Sequence, residues 1–153
     1  MSDRTSGTQI RWARDAADVD GAIAVRERVF VDEQGVPVEE ELDGRDGEAM
    51  HLLAVPRDGG PPVGTLRMLL DGELVKVGRV AVDREWRRRG IAARMLDVAL
   101  GEARARGARR ARLASQLDVV ALYERAGFTV ESGVFEEAGI PHVWMGRELG
   151  AVA

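Results

Sequence analysis

The stretch RVAVDREWRRRGIAARML, residues 79–96, sets Arg87, Arg88 and Arg89 directly before Gly90. A β-branched, alternating run precedes them and an amphipathic run follows, so they stand where a strand hands over to a helix. The first N–H groups of a helix are unpaired and carry the positive end of its dipole, which makes such a junction an anion site. Gly90 keeps side-chain bulk away from that backbone and permits an unusual φ. Ala92, small and close behind, leaves room for a diphosphate, and arginine adds charge-assisted contacts to phosphate oxygens. The competing reading is a surface helix with a glycine at its start and solvated arginines, and Arg84 and Arg94 fit it well. Spacing alone leaves both open.

The segments that must position this knot follow from periodicity and punctuation. Gln9 to Arg14 reads as a short strand, and Asp15 to about Phe30 as a helix with Val19, Ile23 and Phe30 inward and Arg26 and Arg28 outward. Asp32 to Glu48 is acidic and broken by Gly35, Pro37, Gly44 and Gly47, which predicts a loop with a helical turn. His51–Pro56, Val63–Leu70 and Leu74–Val82 read as strands, the last two joined by the hairpin signal Asp71-Gly72. Gly90 to Arg106 is the clearest helix, with Ala92, Met95, Leu96, Ala99 and Ala103 on one face and Gly107 as its stop. A strand over Ala111–Ala114, a helix over about Leu117–Ala126 ended by Gly127, a strand from Phe128, a turn near Gly139 and a strand over His142–Arg147 complete the chain. The order is that of an α+β domain with a mainly antiparallel sheet.

Composition narrows the chemistry. The 153 residues suit one domain, and 31% charged with 45% apolar residues fits an ordered globular chain. With no cysteine there is no disulfide, thiolate metal site or thiol nucleophile, and no metal is expected. The start, MSDRTSGTQI, has no apolar signal core, so the expected compartment is the cytoplasm, without a membrane partner. Lys76 is the sole lysine. The arginine-rich RARGARRAR, Arg104 to Arg112, raises nucleic-acid binding, but the net charge of -4 argues against it, and no nucleic-acid partner is expected.

Arg87-x-x-Gly90-x-Ala92, following the strand VAV, resembles the acyl-CoA-binding motif of GNAT superfamily N-acetyltransferases, in which Arg/Gln-x-x-Gly-x-Gly/Ala binds the pyrophosphate of coenzyme A. LYERAGF, with Tyr123, Gly127 and Phe128, is similar to that superfamily's Tyr-(x)3-Gly-Phe signature. RERVFVDEQGVP, MHLLA and GIPHVWM resemble the ElaA-like branch. The matches run from Arg26 to Met145.

This resemblance implies one GNAT-type domain over residues 1–153, with a mixed, mainly antiparallel sheet of about six to seven strands flanked by about four helices. It implies acetyl-CoA as cosubstrate and direct attack by a primary amine on the thioester, with the protein supplying positioning and charge stabilisation. Arg87, Arg88, Arg89, Gly90, Ile91 and Ala92 would cradle the diphosphate. Val80, Ala81 and Val82 would hydrogen-bond the pantetheine arm, with the Val82 N–H given to the thioester oxygen. Tyr123 would protonate the departing thiolate, a role that suits a phenol with a reference pKa near ~10, and Gln116 would contact the cofactor.

The superfamily often has a carboxylate base on the strand LVKVGRVAV, which here carries none. His142 is the candidate base by intrinsic pKa, while His51, at the start of a core strand, reads as structural. Glu39, Glu40 or Glu41, in the loop expected over the acceptor site, would draw a cationic amine or else simply be solvated. Trp86 and Trp144 read as pocket lining or packing. A non-catalytic acyl-CoA-binding or regulatory module on the same fold is the alternative, and a homodimer fits the superfamily's habit. Small amines, polyamines, amino-sugars and protein N-termini all remain open as acceptors.

Overall fold

The computed structural model describes residues 7–150. They form two compact units, one from the residues up to Arg67 with Arg79–Met95, the other from Met68–Gly78 with the residues from Leu96 on. The elements are β1 (Thr8–Trp12), α1 (Ala16–Arg26), a π-helix (Glu27–Glu33), α2 (Val38–Glu41), β2 (Met50–Pro56), β3 (Gly64–Asp71), β4 (Leu74–Val82), α3 (Ile91–Ala105), β5 (Arg110–Gln116), α4 (Val120–Arg125), β6 (Thr129–Val130), β7 (Phe135–Glu137) and β8 (Ile140–Glu148). The architecture is α+β with a mixed sheet, as expected, and the described strands number eight because a three-residue β7 precedes the turn at Gly139. No described helix is long and apolar enough to cross a membrane.

In the first unit the strand order is β1-β2-β3-β4, with β1 antiparallel to β2 from Thr8↔Pro56 to Trp12↔Leu52. Leu52, Leu53 and Ala54 are all fully buried, so β2 is covered on both faces. Asp15 caps α1 by accepting from the Asp18 N–H at 2.9 Å, a standard use of a short acidic side chain at a helix start. The helical segment predicted to run to Phe30 changes pitch at Glu27, where the π-helix begins and the Gln34 N–H reaches back five residues to the Val29 carbonyl at 3.1 Å. Val25, Val29 and Ala81 pack together under Phe30.

Arg26 does not point outward. Its side chain is 1% exposed, and it donates from Nε to Glu41 at 2.5 Å and from Nη1 and Nη2 to Asp46 at 2.7 and 3.1 Å. Arg67 is shared between Asp43 and Asp46, and Arg79 gives Nη2 to the Glu41 carbonyl at 3.0 Å. Helical periodicity sorts arginine to solvent because it cannot see carboxylates supplied 15 and 20 residues later. The acidic run after Pro37 is therefore only partly a solvated loop. Glu39 and Glu40 are exposed, whereas Glu41 is 3% exposed and committed to arginine, which removes it as an attractor for an amine. His51 is buried and donates Nε2–H to the Asp46 carbonyl at 3.0 Å, a structural place as expected.

In the second unit β4 runs parallel to β5, β5 is antiparallel to β8, and β6 and β7 both pair with β8. The alternation of β5, with Ala111, Leu113 and Ser115 buried, puts one face against the core. Leu96, Ala99, Leu100 and Ala103 give α3 its buried stripe. Gly107, at φ +96°, ends that helix, with the Ala108 N–H bonded to the Ala103 carbonyl at 2.9 Å and the Gly107 N–H to that of Arg104 at 3.0 Å.

Candidate active site

The predicted cradle is one continuous piece of backbone in the first unit. β4 pairs with β5 only over Leu74–Lys76 against Arg110–Arg112. Beyond those pairs Arg79 takes a φ of +52°, a left-handed conformation inside a strand that marks a local bend, and Val80–Val82 lie past it. Sequence reading missed the bend; Gly78 before Arg79 was its only trace. After Val82 the chain makes a 3₁₀ turn over Arg84–Trp86, with the Trp86 N–H on the Asp83 carbonyl at 2.9 Å. Arg88 has a φ of +62° and Gly90 of +76°. Such reversals of φ curl a backbone into anion-binding concavities, and a non-glycine residue held in this region costs on the order of 1–2 kcal/mol. The Gly90 carbonyl then accepts from the Arg94 N–H at 3.1 Å, opening α3, and Ile91, 2% exposed, anchors the helix start. Ala92 is half-buried. A concave backbone ending on a fifteen-residue helix, with arginine at its entrance, fits the diphosphate of an acyl-CoA.

The three arginines are not equivalent. Arg87 donates Nε–H to the Val82 carbonyl at 2.8 Å and clasps Glu33 with Nη1 and Nη2, both at 2.7 Å. That pairing holds the Glu33 carboxyl below its ordinary pKa. Arg89 lies over the Trp86 ring, 4.6 Å from its centroid, and gives Nη2–H to the Glu85 carbonyl at 3.0 Å. Arg88 is exposed, and its side chain has no partner among the described residues. Of the neighbours, Arg84 reaches Glu33 only at 3.4 Å, and Arg94 donates to the Thr8 hydroxyl at 3.1 Å.

In the second unit the LYERAGF signature has a local physical cause. Gly127, at φ +92°, ends α4; its N–H bonds the Glu124 carbonyl and the Phe128 N–H bonds the Tyr123 carbonyl, both at 3.0 Å. This is the six-to-one closure that demands a left-handed residue at Gly127 and brings its neighbours' side chains together. The Phe128 ring accordingly meets Tyr123 edge-on, with centroids 6.2 Å apart. Tyr123 is 6% exposed, and burial pushes its phenol pKa well above the usual value, so it carries its proton throughout the neutral range.

His142 stands opposite Gln116 in the register of β8 and β5. Its Nδ1 lies 2.7 Å from the Ile140 carbonyl, which can only accept, so Nδ1 carries the hydrogen and neutral His142 keeps its lone pair on Nε2. The Glu137 carboxylate, 3.8 Å from Nε2, is placed to stabilise the ring once protonated. Phe135 stacks on both His142 and Trp144, at 5.9 and 5.5 Å between centroids, and Arg112 lies 4.1 Å from the Trp144 ring. Trp86 and Trp144 are thus both packing partners of arginine.

Comparison with known proteins agrees with this geometry. Residues 13–149 match the family model described as the acetyltransferase (GNAT) domain. Over 137 residues the chain is 34% identical to the uncharacterized N-acetyltransferase YjcF of Bacillus subtilis, a match that covers 89% of this chain and 96% of that one. Among solved structures it is similar to Escherichia coli ElaA, with a TM-score of 0.79, 28% identity and coverage of 92% of this chain and 100% of that one. It is also similar to an acyl-CoA N-acyltransferase from Pseudomonas aeruginosa, with a TM-score of 0.80, 28% identity and coverage of 92% and 99%. A family match over nearly the whole chain, on a fold shared with such enzymes, makes this protein an acyltransferase that belongs to the GNAT acetyltransferase family.

Proposed function

We propose that residues 1–153 act as one catalytic domain that transfers the acetyl group of acetyl-CoA to a primary amine by direct attack on the thioester. The observation that carries the reading is the paired reversal of φ at Arg88 and Gly90 immediately before α3. The backbone of Arg88–Ala92 takes the diphosphate, and Val80–Val82 hold the pantetheine arm with the Val82 N–H on the thioester oxygen. Tyr123 gives its proton to the leaving sulfur. His142 Nε2 is the base that takes the amine proton, and Gln116 contacts the cofactor.

The arginine-rich run Arg104–Arg112 is structural in this reading. Arg106 pairs with Glu102, Arg110 with Glu131 and Glu148, and Arg112 covers Trp144, which leaves little of the run for nucleic acid. Calorimetric titration with acetyl-CoA, next to dephospho- and desulfo-CoA, tests the proposal. Micromolar binding that weakens when phosphate is removed, with thiol release on adding amines, is expected. Binding with no release for any amine would leave a non-catalytic acyl-CoA module, and no binding at millimolar cofactor would remove the cradle.

A further inference from the structure

The loop between β4 and α3 is tied to the π-helix by two bidentate ion pairs of opposite polarity. Arg28 gives Nε and Nη2 to Asp83 at 2.9 and 3.0 Å, and Glu33 receives both Nη groups of Arg87. Arg28 and Glu33 are five residues apart, the hydrogen-bond spacing of a π-helix, so the wider turn brings them closer to one side than an α-helix would. In an ordinary α-helix they would be about 140° apart, since five steps of ~100° overshoot one turn. The π-helix therefore presents plus then minus to a loop that presents minus then plus.

Arg87 does more than answer Glu33. Its Nε–H holds the Val82 carbonyl, and the N–H of the same peptide unit, that of Asp83, donates to the Val63 carbonyl at 2.8 Å. The peptide plane directly after the Val82 N–H is thus fixed at both its polar atoms. A guanidinium grips an oxyanion with two N–H groups through its Nη1–Nη2 edge or its Nε–Nη2 edge. Glu33 takes the first, and the Val82 carbonyl takes Nε from the second.

We infer that Arg87 is a positioning residue that locks the end of β4, and that Arg88 is the arginine of this loop left to meet phosphate. The inference rests on the reading that Val80–Val82 bind the acyl-CoA arm. It departs from what the motif suggests, where the first arginine is itself a diphosphate ligand. Glu33 then becomes a second positioning residue, acting on Val82 through Arg87.

The experiment compares Glu33→Gln, Arg87→Gln, Arg87→Lys and Arg88→Gln in the full chain. It reads the Kd for CoA by calorimetry, amide hydrogen exchange over residues 79–87, and thiol release from acetyl-CoA. Glu33→Gln decides by sign. A phosphate-binding Arg87 freed from its internal counter-ion would bind CoA more tightly, whereas a positioning Arg87 leaves the Kd within about threefold. We expect Glu33→Gln and both Arg87 variants to speed exchange over 79–87 alike and to slow thiol release about tenfold or more at saturating acetyl-CoA. Combining Glu33→Gln with Arg87→Gln should be no worse than either change alone. Arg88→Gln should weaken CoA about tenfold without changing that exchange. Tighter CoA binding in Glu33→Gln, or weakening by Arg87→Gln that Arg87→Lys rescues, would overturn the inference. Failure of the acyl-CoA reading itself looks different, because wild-type protein would then bind no CoA while the exchange difference remained.

Discussion

At the scale of single residues, the acid role proposed for Tyr123 rests on its burial. A phenol can act as an acid at neutral pH only if it keeps its proton until the sulfur leaves, and burial of Tyr123 ensures that it does. Nothing in that role needs the hydroxyl for cofactor affinity. Tyr123→Phe should therefore lower turnover at least tenfold while the Kd for acetyl-CoA stays within about twofold, since only the transition state loses an interaction. Unchanged thiol release would take Tyr123 out of the reaction. The ring contact with Phe128 survives this substitution, so a loss of turnover could not be charged to misfolding. The base role proposed for His142 Nε2 rests on the Ile140 carbonyl, two residues back in the same strand, which holds the ring hydrogen on Nδ1.

At the scale of elements, the buried ion cluster fixes the segment from Val38 to Glu48 against β3 and β4. Arg26 is its centre, and removing one partner of a buried pair strands the other's charge. Arg26→Leu should destabilise the fold by about 3–5 kcal/mol in urea titrations, because among the described residues Glu41 then keeps only the more distant Arg79, at 3.4 Å. Adding Glu41→Leu should recover much of that loss; a single variant costing under about 1 kcal/mol would show the cluster to be hydrated instead. The carboxyls add an acid limb. Asp43, held mainly by Arg67, and Asp46, held by Arg26 against its burial, both lie below the ordinary carboxylate range. They stay charged in the folded chain where the unfolded chain is already protonated. Their stabilisation is complete above the unfolded value near ~3.9 and is lost as pH falls toward the lower folded values. Unfolding free energy should hold level from about pH 7 to 5 and drop below about pH 4, with a shallower drop in Asp46→Asn. Much of this scale was legible in advance: β4 was placed residue for residue, and α3 within one residue at each end, since both are set by local periodicity and glycine punctuation. The buried Arg26, the π-helix and the bend at Arg79 were not, because each is decided by partners far along the chain. The same limit applied to the candidate site. The turn before α3 and the place of Tyr123 ahead of Gly127 could be read from the sequence, whereas the different partners of Arg87 and Arg89, namely Glu33, Val82 and Trp86, are brought to them only by the folded chain.

At the scale of the whole molecule, two electrostatic effects oppose each other. A net charge of -4 repels a polyanionic cofactor at long range, while the cradle proposed at the arginine–glycine turn would attract it over a few ångströms. Salt screens both, with a Debye length near ~10 Å at 0.1 M. If the local attraction dominates, acetyl-CoA affinity falls as salt rises, and if net charge dominates it rises. The concentration of arginine at one helix start favours the first. Binding also stabilises whatever it binds, by about 2.7 kcal/mol at a ligand concentration of 100 Kd. For a chain of this size that corresponds to a Tm increase of roughly 5–10 °C. Gly90→Glu should abolish the increase by forcing a side chain into a left-handed backbone at φ +76° and placing a carboxylate at the proposed diphosphate site. Thermal melts of both proteins at low and high salt separate the possibilities. A wild-type increase that shrinks with salt and vanishes in Gly90→Glu would place the attraction at the arginine–glycine turn, whereas an increase that survives the substitution would mean that the cofactor is held elsewhere.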